Sequence, residues 1–167
     1  MSRRLRPLLL VMAFVAMLPL MAHLLEMPSK LTLGGPAWLA IQQTLYRGWG
    51  AVFGPVEIID LLLAIAMAAG SQGAERRAAM LAVACYAGMI AVFFIFNDPV
   101  NRALAGWTAA TLPADWPSYR LKWEIGHAIS AVLSLIAFVA VLRPSFRRKG
   151  WTARLQPSQS GAAWGNK

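Results

Sequence analysis

The stretch "RLKWEIGHAISAVLSLIAFVAVLRP", residues 120–144, decides the fold. From Ala128 to Leu142 it holds nothing costlier to dehydrate than serine. About 20 mainly apolar residues suffice to cross a bilayer as a helix, so the stretch reads as a membrane span. Glu124 and His127 stand at its entrance, one helical turn apart. An acid and an imidazole are expensive there and need a reason.

The rest of the chain agrees with a membrane reading. Of its 167 residues, 58% are hydrophobic and only 14% are charged, where soluble domains run at about 45–50% and about 25%. Mean hydropathy is +0.53. Three more segments join the first, giving spans at about 7–27, 52–72, 78–98 and 120–142. The second has a short apolar centre, 55–70, and needs its flanks. Arg3, Arg4 and Arg6 before the first segment resemble the head of a secretory signal. Its apolar run is long for a signal and lacks a small-x-small cleavage site, so it is read as a retained helix. The expected fold is all-α: an integral membrane four-helix bundle formed by residues 1–149. Residues 150–167, rich in Gly, Ser, Gln and Ala with scattered cations, read as a disordered basic cytoplasmic tail.

Charge placement orients the bundle. Arg3, Arg4, Arg6, Arg76, Arg77, Arg143, Arg147, Arg148, Lys149, Arg154 and Lys167 fall on one side. Lys30, Arg47, Arg102, Arg120 and Lys122 fall on the other. The positive-inside rule puts both termini in the cytoplasm of a bacterial-type inner membrane. The formal net charge of +9 is then topology and contact with anionic lipid, not nucleic-acid binding. The partner expected first is the lipid bilayer. Trp38, Tyr46, Trp49, Trp107, Trp116, Tyr119 and Trp123 cluster in or beside the two outer connections, as an interfacial aromatic belt does. Cys85 is the single cysteine, so neither a disulfide framework nor paired-cysteine redox chemistry is available. No P-loop, dinucleotide or zinc-ribbon pattern is present.

Both outer connections read as short interfacial helices. Pro36 suits the first position of one, in which Leu39, Gln42, Gln43 and Tyr46 recur at helical spacing. Asp98 reads as the cap of another that starts at Pro99. Pro113 and Pro117 break the chain before the last span.

The polar residues of the spans lie at one height. At a rise of about 1.5 Å per residue, Arg6 to His23 is about 25 Å, Arg76 to Asp60 about 24 Å, Arg77 to Asn97 about 30 Å, and Arg143 to His127 about 24 Å. His23 and Glu26, Glu57 and Asp60, and Glu124 and His127 are each spaced i,i+3, so each pair shares a helix face. Such groups turn to the bundle interior or to a wet cavity.

Several uses fit this cluster. A structural network ties helices together, with Arg120 pairing Glu124, His23 bonding an outer carbonyl, and Asn97 and Asn101 joining helix ends. A metal centre uses His23, Glu26, Glu57, Asp60, Glu124 and His127, a nitrogen-and-oxygen set suited to iron, copper, manganese or zinc. Glu124-Ile-Gly-His127 has the Glu-x-x-His form of soluble di-iron bundles, and His23-Leu-Leu-Glu26 is its reverse. Metal-free acid–base work needs only a neutral histidine near a carboxylate. Haem held between His23 and His127 fits less well, because acids crowd both imidazoles. Proton or ion passage lacks a charged relay in the inner half of every span. In the enzymatic readings, His127 is the base or ligand and Glu124 orients it. His23 and Glu26 face them. Asn97 and Asn101 shape the pocket or hold an oxyanion. Arg120 binds an anion or neutralises Glu124. Gln43, Tyr46 and Trp123 close over a hydrophobic small molecule that enters from lipid. The rival is a non-enzymatic scaffold or partner subunit, in which the cluster only fixes packing.

"AHLLEMPSKL" (22–31), "QQTLYRGWG" (42–50), "FNDPVNRALAGW" (96–107) and "YRLKWEIGHAISA" (119–131) together resemble the anthrone-oxygenase-like family of small four-helix membrane proteins. The resemblance covers roughly residues 8–142. Its most specific pieces are Asn97, Pro99 and Asn101, and the pattern Arg120, Trp123, His127. Characterised fungal relatives oxidise anthrones to anthraquinones with molecular oxygen. For this chain the resemblance implies an oxygen- or quinone-linked oxidation of a hydrophobic, phenol-like molecule.

Overall fold

A computed structural model of the protein describes residues 2–147. The segment expected to form a disordered tail lies outside the described residues. The described chain is an integral membrane four-helix bundle. α1 (Ser2–Lys30) is followed by the short α2 (Gly35–Thr44) and then by α3 (Trp49–Ala69). α4 (Gly73–Val92) runs through a π-helical turn (Phe93–Asn97) into α5 (Asp98–Leu104), and α6 (Trp116–Arg147) ends the described chain. Four helices are long and apolar enough to cross a membrane: Leu5–Lys30, Trp49–Ala69, Gly73–Leu104 and Trp116–Arg143.

The bundle runs up, down, up, down. α1 packs on α3, α3 on α4, α4 on α6 and α6 back on α1, which closes a ring. Both ends of the described chain therefore lie at one end of the bundle. Arg6 clamps that end: it donates to the Val141 carbonyl at 3.1 Å and pairs with Glu75 at 3.3 Å. α2 and α5 cover the opposite end, called the cap end below.

Small residues let the helices approach. Leu9, Ala13, Ala16 and Leu20 recur every three to four residues along one face of α1, and Ala79, Ala82, Tyr86 and Met89 do the same on α4. α6 adds Ala131, Ser134, Ala137 and Val141. Lipid tails are as apolar as leucine, so close packing of such faces replaces the hydrophobic effect as the force that joins helices. The large aliphatic residues point outward instead: Val11 is 60% exposed and Leu62 59%.

The cap end has its own core. Trp38 and Leu39 of α2 bury against Val100, Leu104 and Trp123. Trp38 and Trp123 are thus packed inside, where the aromatic-belt reading had placed them at the lipid surface. The expected helix at Pro36 is α2, with proline in its first turn. Asp98 is not a cap, because the chain reaches it already helical through the π turn; it pairs instead with Arg102 at 2.8 Å. Pro117 stands in the first turn of α6, where a missing N–H costs nothing. α1 passes through Pro28 and extends to Lys30, one turn beyond the expected end.

Gly126 marks a close crossing of α6 with the π turn. A Cβ there would collide with the Asn97 side chain and stand 2.8 Å from Phe96 Cβ. At Gly88 a Cβ meets only the flexible Leu133 Cδ1, at 3.3 Å. Gly126→Ala is expected to lower stability by about 1–3 kcal/mol through overpacking, while Gly88→Ala changes it by less than about 1 kcal/mol. Unfolding in detergent micelles checks this, and equal midpoints for the two variants would refute the crossing.

Candidate functional site

The site lies just beneath the cap. α1 supplies His23, Glu26 and Lys30, spaced i, i+3 and i+7 and so on one face. α6 supplies Trp123, Glu124 and His127. The π turn supplies Asn97, which is buried. Such a turn winds wider than α and is often found at functional positions. Gly126, lacking a side chain, lets α6 press against it.

The two imidazoles meet. The His23 and His127 rings are 4.4 Å apart, edge to face at 71°. Trp123 backs both, at 3.9 Å from His127 and 4.9 Å from His23. Asn97 holds His127: its Nδ2 lies 2.6 Å from His127 Nδ1 and donates to the Trp123 carbonyl at 3.0 Å. The Trp123 carbonyl is also 3.0 Å from His127 Nδ1. These contacts all fall on Nδ1, so Nε2 is the nitrogen left free for chemistry. Nε2 is basic in the tautomer whose Nδ1 hydrogen is donated to the Trp123 carbonyl, and Asn97, which borders neither cavity, is not placed to hold an oxyanion.

Glu124 does not orient His127. It pairs with Lys30, Nζ to Oε2 at 3.0 Å, and the two side chains are 1% and 4% exposed. The ammonium also lies 4.0 Å from Glu26 and 3.5 Å from His23 Nδ1, over the Trp123 ring at 4.8 Å. Arg120 forms no ion pair with Glu124, though it lies within electrostatic reach of it. Its guanidinium donates to the Lys30 and Leu33 carbonyls, at 3.2 and 2.8 Å, and so closes the carbonyl end of α1. Lys30 is the site residue that sequence reading missed.

Tyr46, from the connection after α2, donates to Glu26 and stacks on Trp123 at 5.7 Å. Burial, helped by the Glu26 carboxylate, pushes its phenol well above the ordinary range, so it remains a donor. Asn101 Oδ1 accepts from Trp123 Nε1 at 3.0 Å. Gln43 donates to the Leu104 and Trp107 carbonyls, at 2.8 and 2.9 Å, which latches α2 to the end of α5.

Two cavities meet at the imidazoles. One, about 230 Å³, is lined by Phe53, Ile58, Phe93 and Phe94, with Glu57, His23 and His127 as its polar members. Ile58 and Phe94 are 52% and 59% exposed, so its mouth opens sideways on the lipid face. The other, about 850 Å³, is lined by Gln43, Tyr46, Arg47, Asn101 and Trp123 at the cap end. His23, His127, Trp49, Gly50 and Phe93 border both. The arrangement can present an apolar molecule to a histidine base from one side and a polar reactant from the other.

The expected six-ligand metal set does not assemble. Among the described residues, no three His, Cys, Asp or Glu side chains come together as a ligand group. The physical reason is Lys30, whose ammonium occupies the space between His23, Glu26 and Glu124. Glu57 reaches the lateral cavity. Asp60 is fully buried and borders neither cavity.

Residues 42–140 match the family model described as Anthrone oxygenase. No curated protein and no solved structure matches the chain. The match is shorter than the resemblance read over 8–142. It includes Asn97, Trp123, Glu124 and His127, and begins after His23, Glu26 and Lys30 of α1. With more than half its length inside that model, the chain belongs to the anthrone oxygenase family.

Proposed function

We propose that the protein is a membrane-embedded oxidoreductase that uses molecular oxygen on a flat, hydrophobic, phenol-like substrate of the anthrone type. One observation carries this reading: two imidazoles from different helices lie 4.4 Å apart where a lipid-facing apolar cavity meets a polar one. The substrate enters sideways from the bilayer and lies among Phe53, Phe93 and Phe94. His127 Nε2 takes a proton from the activated ring carbon. Asn97 fixes the ring of His127, a positioning role rather than contact with the reaction. His23 faces the same space and receives or returns the second proton. For an anthrone the balance is one CH2 oxidised to C=O by one O2, with one water released. Oxygen and water use the polar cavity at the cap end. The family name and the apolar lining support the substrate class.

The chain is proposed to lie in a bacterial-type inner membrane with both termini in the cytoplasm, on the strength of its cation distribution. A fluorescent protein fused to the C-terminus should then glow in intact cells. A dark but folded fusion would reverse the orientation.

The enzymatic role is tested with full-length protein in lipid nanodiscs, following oxygen uptake and quinone absorbance with anthrone. His127→Ala should lower the rate by about 10²–10⁴-fold and leave the unfolding midpoint nearly unchanged. Glu124→Gln should act the other way, removing about 3–5 kcal/mol of stability by stranding Lys30. Turnover that is absent from the wild type, or unaffected by His127→Ala, would contradict the proposal. Loss of stability in both variants would favour the scaffold reading.

A further inference from the structure

The site leaves one buried acid without a role. Asp60 is on α3, one turn from Glu57, so the two share a face. It is 0% exposed. Neither of its carboxyl oxygens accepts a hydrogen bond among the described residues. Tyr86 of α4 is 1% exposed, and its hydroxyl is likewise unpartnered. Asp60, Glu57 and Cys85 all lie within electrostatic reach of Tyr86.

Among the described residues no cation answers this carboxyl. α3 carries no lysine or arginine, and neither do residues 7–22 of α1, 78–92 of α4, the π turn or 128–142 of α6. The ionisable groups within electrostatic reach of it are Glu57 on its own helix and Tyr86 from α4. Asp60 also lies deep: eleven residues from Trp49 is about 16 Å along the helix, near the middle of a hydrocarbon core of about 30 Å. An unpaired carboxylate there is costlier than a neutral acid, and such a group keeps its proton.

We infer that Asp60 is a protonated carboxylic acid in the resting protein, a proton store that faces Tyr86 and is reached from the lateral cavity through Glu57. Glu57 is the connection because it lines that cavity together with His23 and His127. The transfer balances without an oxidant. When the store is empty, the Glu57 acid gives its proton to Asp60, and the Glu57 carboxylate so formed takes one from an imidazolium at the cavity. Only N–H and O–H bonds change. The resting state of Asp60 does not depend on the oxidation proposed above, because it needs no substrate.

Infrared spectroscopy of the full-length protein in lipid vesicles tests this at neutral pH. A carboxylic C=O band should appear, move down in D2O, and move again when aspartate side chains carry ¹³C. Asp98 is paired with Arg102 and Asp115 is exposed, so Asp60 is the one buried, unpaired aspartate that the label reaches. Asp60→Asn, a neutral isostere, should fold and lose the band. If that variant does not fold, the labelled wild type decides alone. Glu57→Gln should keep the band but slow its exchange into D2O by about tenfold. No ¹³C-sensitive acid band would overturn the store, and unchanged exchange in Glu57→Gln would overturn the route.

Discussion

The Lys30–Glu124 ion pair is the constraint on which the cap end depends. Taking an ammonium and a carboxylate out of water costs several kcal/mol for each ion, and removing one partner strands the other. The pair is kept because α1 and α6 meet there, each held by more than the pair itself. Arg120 grips the Lys30 carbonyl from α6, Glu26 and Tyr46 complete the network from the other side, and Trp123 lies under the ammonium. With α1 and α6 fixed at this level, His23 and His127 have no choice but to face each other. The pair thereby sets the geometry of the imidazoles without touching the chemistry assigned to them.

The same constraint explains why the polar groups form separate sets. Lys30 draws Glu26 and Glu124 toward the cap. The π turn swings Asn97 onto His127, and Gly126 leaves room for it. Glu57 and Asp60, on the far side of the lateral cavity, stay with Tyr86. A bundle with acids and histidines at one height is therefore not one chamber. It is an ion-paired cap, an imidazole pair beneath it, and a buried acid beyond.

The fold was legible because membrane spans are written in length and hydropathy. All four spans, and α2 at Pro36, follow from apolar runs and proline placement. Helical rise alone put His23, Asn97 and His127 at one level; it put Asp60 there too, but the count back from Arg76 crosses the non-helical 70–72 connection, and Asp60 lies deeper. What was not legible is which polar group answers which. Glu-x-x-His spacing says that Glu124 and His127 share a face, not that a lysine from another helix claims the acid. Lys30 was hidden because α1 was ended at 27, whereas the helix runs through Pro28 and carries Lys30 onto the face of His23 and Glu26. The signal was the i,i+4 spacing of Glu26 and Lys30. The π turn left no signal, because "FFIFN" reads equally well as plain helix. Trp38 and Trp123 were misplaced because tryptophan suits both an interface and a core.

The central claim is that the two imidazoles form one unit, each with its Nδ1 engaged and its Nε2 free. These are the only two histidines in the sequence, so histidine labelled with ¹³C and ¹⁵N in an untagged protein reports on nothing else. Solid-state NMR in lipid vesicles should show a through-space correlation between the two rings, and a contact from the Asn97 side chain to one of them alone. Two uncorrelated rings with the exchange behaviour of exposed histidine would contradict the account.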